Sequence, residues 1–75
     1  MNMISRFVVY QYSKPITKGG VGERIGFFED YEPARNLARR HAKELSMLGE
    51  DFYSISVWDN ASQIWRFEVL NPEHK

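Results

Sequence analysis

Residues 30–51, DYEPARNLARRHAKELSMLGED, hold one amphipathic helix with a stop signal at each end, and the rest of the chain must fold around it. Asp30 occupies the N-cap position, where a short acceptor side chain suits the first free N–H groups. Glu32 sets a negative charge against the positive end of the helix dipole. Pro33 falls in the first turn, where its missing N–H costs nothing. Gly49 sits where a left-handed C-terminal residue belongs. The spacing predicts a helix over about 31–48.

At about 100° per residue, Ala34, Leu37, Ala38, Leu45 and Leu48 fall on one third of the wheel and form the expected core face. His41 lies inside that face; the expected role is a partly buried structural histidine, bonded to a backbone carbonyl or to Glu44. Arg35, Arg39 and Lys43 recur at every fourth position on the opposite side, as a solvated stripe.

The flanking segments alternate and are rich in β-branched and aromatic residues. Residues 5–13, 23–29, 52–59 and 63–70 read as strands. KPITKGGVG (14–22) carries a proline and three glycines and reads as a loop. NAS (60–62) is the second turn. The order β-β-α-β-β gives an α+β two-layer sandwich: a four-stranded antiparallel sheet in the order 2-1-3-4 with the helix on one face. Strand one is then central, with Phe7 and Val9 on one side and Val8, Tyr10 and Tyr12 on the other. The chain reads as one domain over 1–75, and 71–75 as a polar, frayed tail.

Polarity sets the register of strands three and four. Placing Trp58 opposite Ile64, across an odd loop of three to five residues, unites Tyr53, Ile55 and Val57 with Trp65, Phe67 and Val69 on the helix side. The open face then carries Phe52, Ser54, Ser56 and Trp58 beside Ile64, Arg66, Glu68 and Leu70. With Tyr10 and Tyr12 pointing the same way, that face gathers a Tyr–Trp cluster. A contiguous apolar patch of this kind marks an interaction site. The expected partner-binding residues are Tyr10, Tyr12, Trp58, Ile64 and Arg66. Closure of this face against a second copy of the chain is a further expectation.

Ten basic side chains balance ten acidic ones, so no net field draws the chain to nucleic acid or to an anionic membrane. Nucleic-acid binding is the alternative reading. Aromatics on an open sheet stack bases, and Lys14, Lys18, Arg35, Arg39 and Lys43 would supply phosphate or acidic-partner contacts. The aromatic-flanked signatures of RNA-recognition sheets are missing. With no cysteine there is neither a disulfide framework nor a thiolate metal site, which favours the cytoplasm. The apolar run near the start is too short for a signal peptide, and no stretch has a membrane span's length.

KGGVGERIG lacks the spacing of a phosphate loop and precedes a strand rather than a helix. Ser54 and Ser56 have no base beside them. No nucleophile, base and orienting group stand together, so catalysis, a metal and a cofactor are not expected.

The stretch RIGFFEDYEPARNLARRHAKEL followed by FYSISVWD is a strand, an acidic cap, an Ala/Leu/Arg helix and a strand. In size and order it resembles small phage-encoded inhibitors, such as some anti-CRISPR proteins and the phage inhibitors of host RNA polymerase. The resemblance covers roughly the middle half of the chain and transfers no individual residue. It implies a non-catalytic role: binding another protein, such as a large host complex, and blocking its working surface.

Overall fold

The computed structural model describes residues 5–74. Strand β1 spans Phe7–Tyr12, β2 Gly22–Phe28, helix α1 Tyr31–Leu48, β3 Ser54–Asp59 and β4 Ile64–Leu70. A short 3-10 turn, Ile16–Lys18, lies in the loop after β1. The sheet is antiparallel throughout in the order β2-β1-β3-β4, and α1 packs on one side of it. Among the described residues no helix is long and apolar enough to cross a membrane.

The helix begins and ends at the expected residues, but only its C-terminal cap makes the expected bonds. Gly49 takes the left-handed conformation at φ 71°, its N–H reaching Ser46 O, while Glu50 N reaches Leu45 O at 3.0 Å. This paired closure satisfies two of the last free carbonyls. Asp30 holds the N-cap position in extended backbone, but its side chain makes no capping hydrogen bond.

Ala34, Ala38 and Ala42 form a seam of small residues that lets α1 lie close over the sheet. Val9, Ile55 and Val57, all fully buried, meet them from the central strands, with Phe7, Leu45 and Phe52 completing the core. The expected helix face changes in two places. Ala42 belongs to the core, and Leu48 is 73% exposed, because the last turn runs on past Leu45, the last helical side chain buried there. His41 bonds to Gln11 Oε1 of β1 at 2.8 Å, not to Glu44 or a carbonyl. That bond pins the polar end of the layer and fixes which side of β1 faces the helix: Phe7, Val9 and Gln11.

The second hairpin is where the expected register fails. The loop has four residues, 60–63, and Asp59 pairs with Ile64. Uninterrupted pairing from that point would turn Arg66 and Glu68 toward the helix. The structure instead pairs Val57 with Phe67 and Ile55 with Val69, and the ladder slips between Val57 and Trp58. One extra residue, Arg66, absorbs the conflict between a tight loop and an apolar face that must meet α1. The four-residue loop already sets Trp65 on the open face opposite Trp58, and the slip leaves it there. Ile64 and Arg66 move the other way, onto the side of Asp59.

The start of β3 departs as well. Phe52 is 1% exposed in the core rather than on the open face, and Tyr53 takes the outer position. The bend at Tyr53 is held by its N–H to Tyr12 O at 2.8 Å and by Asn71 N–H to its carbonyl at 3.0 Å. Strand alternation therefore starts at Ser54. The segment expected to fray is tethered as far as it is described: Asn71 Nδ2 donates to Phe52 O, and His74 lies edge-on to Tyr53 and within 3.2 Å of Asp51. Lys75 lies outside the described residues.

Replacing Gly49 with Ala isolates the backbone contribution of the helix stop, because a Cβ there would meet nothing within 4 Å. The left-handed conformation then costs about 1 kcal/mol. The expected result is a lower urea midpoint with an unchanged slope. An unmoved midpoint would mean that the helix does not depend on this stop.

Candidate interaction face

On the side of the sheet away from α1, four rings touch one another. Trp58 and Trp65 meet edge-to-face with centroids 4.9 Å apart. Trp65 reaches Tyr10 at 5.8 Å and Tyr12 at 6.1 Å, and the two tyrosines are 6.3 Å apart. These separations suit the quadrupolar attraction between aromatic rings.

The reach of Trp65 needs explanation, since β4 and β1 are not neighbours. Strands lie about 4.8 Å apart, so the indole crosses a full strand to meet the tyrosines. It can do so because beside the two tyrosines β3 presents small side chains on this face, Ser56 opposite Tyr10 and Ser54 opposite Tyr12. Both serines are almost inaccessible, at 3% and 2% exposure, beneath rings contributed by their neighbours. Gly22 performs the same service on the other flank: a Cβ there would stand 2.8 Å from Tyr12 Cζ and 2.9 Å from Tyr10 Cδ1. Beyond this cluster Phe27, 56% exposed, extends the apolar surface, with the Arg24 guanidinium 5.7 Å over its ring.

A groove of about 540 Å³ runs along the same face. Ser54 and Ser56 lie along it, Tyr12 and Trp65 flank it, and Pro15, Ile16 and Thr17 of the loop close one end. Tyr53, Arg66, Phe67 and Glu68 complete it. Burial pushes the Tyr12 hydroxyl above the ordinary tyrosine value, and Tyr10 adds to the effect.

Of the expected face residues, the structure brings Tyr10, Tyr12 and Trp58 together. Ile64 lies elsewhere and Trp65 takes its expected place, opposite Trp58, while Arg66 borders the groove but turns its head group to Asp59. Arg66 is engaged at the hairpin end: its Nε donates to Asp59 Oδ2 at 3.0 Å and its Nη2 to Ser62 Oγ at 3.2 Å. Asp59, fully buried, also accepts from Arg6 Nε at 3.3 Å and Nη2 at 3.4 Å, from Ala61 N at 2.9 Å and from Ser62 N at 3.2 Å. Burial alone would push this carboxyl up. The Arg6 and Arg66 hydrogen bonds, with those of the Ser62 and Ala61 N–H groups, more than reverse it and hold Asp59 well below the usual carboxylate range.

The basic residues do not form one surface. Arg35 leans over Tyr31 at 5.7 Å, and its Nε is enclosed with no hydrogen-bond partner among the described residues. Arg39 and Lys43 flank a groove between α1 and β4, beside Phe67 and Val69. Lys14 and Lys18 belong to the loop that borders the opposite face.

No family model matches the chain, and neither curated proteins nor solved structures give a significant match.

Two measurements check this geometry. In Ser56→Ile the larger side chain blocks the path of Trp65 over β3. The near-ultraviolet circular dichroism of the coupled rings should collapse while the far-ultraviolet spectrum stays native; an unchanged near-ultraviolet spectrum would refute the crossing. The second follows from Asp59. Because its folded pKa is depressed, its contribution to stability is complete above the unfolded value of about 4 and is lost as pH falls through and below it. Urea midpoints measured from about pH 7 to about pH 2 should therefore fall on the acid side in the parent chain. In Asp59→Asn the midpoint should be lower at neutral pH and the acid slope shallower. Equal acid slopes would remove Asp59 from this role.

Proposed function

We propose that this chain is a non-catalytic protein-binding module whose contact surface is the open aromatic face. The observation that supports the reading is the set of four touching rings from three strands on the side that α1 leaves bare. Trp65 keeps 42% of its surface exposed there and Phe27 more than half. Trp and Tyr are the residue types that concentrate binding energy when a partner excludes water from them. Here they are held by mutual edge contacts, so little side-chain freedom remains to be lost on association. The groove beside them, closed at one end by Pro15, Ile16 and Thr17, would receive an inserted side chain.

Arg66 is not an anchor of the aromatic face, since its head group turns toward Asp59 at the hairpin end, and Trp65 takes that role. The nucleic-acid alternative draws less support. A phosphate backbone calls for cations in succession along one path. Here Arg39 and Lys43 stand on the helix side, whereas Lys14 and Lys18 belong to the loop across the sheet. That the partner is a large host complex, blocked by a phage or mobile-element accessory, rests on likeness in size and element order.

The test is capture from cell extract with nuclease present, using the parent chain and the Trp65→Ala variant side by side. A protein retained by the parent and lost from a natively folded variant supports the proposal. Retention equal in both, or recovery that vanishes once nuclease is added, would sink it.

A further inference from the structure

We propose that the concavity between Arg6 and Arg66, at the hairpin end on the helix side, is an anion site that receives a carboxylate side chain from a protein partner. It shares no residue with the four-ring cluster, so it extends the proposed function rather than restating it.

Charge is unbalanced at this end of the molecule. One carboxylate, Asp59, faces two guanidinium groups. A carboxylate offers about four lone-pair sites. Those of Asp59 already meet both arginines and the N–H groups of Ala61 and Ser62, so the group is saturated. One positive charge is left over. Neither arginine is submerged to make these bonds: the side chains remain 48% and 41% exposed. Each guanidinium has about five N–H donors, and Asp59 and Ser62 occupy about two on each. The remaining donors are available to a ligand.

The second element is the floor. The concavity, about 530 Å³, is lined by Arg6, Phe7, Tyr31 and Arg66. Phe7 and Tyr31 meet edge-on at 5.7 Å, and the Arg6 guanidinium lies 5.0 Å over the Phe7 ring. Arg35 leans over Tyr31 and brings a third positive charge to the same pair of rings. The site therefore joins planar donors to an apolar base. That combination fits an oxyanion on a hydrocarbon stem, because guanidinium pairs bind carboxylate and phosphate in fork geometry while the rings cover the stem.

The third element is rigidity. Free arginines lose considerable rotamer freedom when they grip a ligand. Here Asp59 and Ser62 already hold them, so association sacrifices less. A carboxylate is favoured over a phosphate chain because the unbalanced charge is local. Of the other helix cations, Arg39 and Lys43 border a different groove, and Lys14 and Lys18 belong to the loop across the sheet.

The Nε–H resonances of Arg6 and Arg66 in the ¹⁵N-labelled chain report the site directly. The probe is 3-phenylpropionate, with 3-phenylpropionamide as its neutral counterpart and dimethyl phosphate as a backbone mimic. The expected result is saturable movement of both resonances, with half-saturation on the order of millimolar. The amide should produce none. Arg6→Gln should weaken binding about tenfold or more, read on Arg66, and Arg6→Lys should weaken it less, because charge survives but the fork is lost. Equal shifts with the amide, shifts undiminished in folded Arg6→Gln, or no shift at either arginine would overturn the proposal. So would tighter binding of dimethyl phosphate, which would assign the site to nucleic acid. If Arg6→Gln does not fold, the comparison of acid, amide and phosphate on the parent chain still decides.

Discussion

The buried carboxylate of Asp59 organises one whole end of the molecule. It closes the β3–β4 loop through the N–H groups of Ala61 and Ser62, and draws in Arg6 from the approach to β1 and Arg66 from β4. Backbone bonds reinforce the junction, with Asn60 N donating to Arg6 O at 2.7 Å and Gln63 N to Asp59 O at 2.8 Å. Gln63 adopts a left-handed φ of 56° to complete the turn. A charged group enclosed in this way is tolerated only when its lone pairs are met. Meeting them fixes the loop at four residues, and the pairing of Asp59 with Ile64 follows.

From that constraint comes the slip in β4. The loop demands one parity and the helix demands the other, and the polypeptide satisfies both by spending an extra residue at Arg66. The outcome decides what the open face is made of. Without the slip Trp65 would stay beside Trp58 and Ile64 beside Asp59, but Arg66 and Glu68 would face α1, and Phe67 and Val69 would face water. With it, the apolar residues reach the core, the two tryptophans remain together, and Arg66 is free to bind Asp59.

The helix boundaries, the strand order and the two-layer arrangement were legible in the sequence because each rests on a local signal: Gly49 for the stop, Pro33 for the start, alternation for the strands. That Tyr10 and Tyr12 share one side of β1 was legible for the same reason, since strand parity groups them; which side meets the helix was not. Trp65, Ile64 and Arg66 were not, because their sides depend on loop length and on a slip that polarity counting cannot see. Asp59 beside Asn60, with Arg66 seven positions on, was a readable hint of the closed turn. The serines at 54 and 56 were legible as open-face residues without a catalytic base; their significance is that they are small. The partner of His41 lay out of reach as well, being a glutamine thirty residues away.

Both outer strands carry an irregularity: Ile25 is the extra residue on β2, where Val9 pairs with Gly26 and Tyr10 with Arg24, and Arg66 is the extra residue on β4. An unbroken outer strand offers a row of unpaired donors and acceptors onto which another chain can add, the route to fibrils. A slip on each border breaks that row and sharpens the local twist. The molecule can therefore display tryptophans on its broad surface while its two borders discourage runaway stacking.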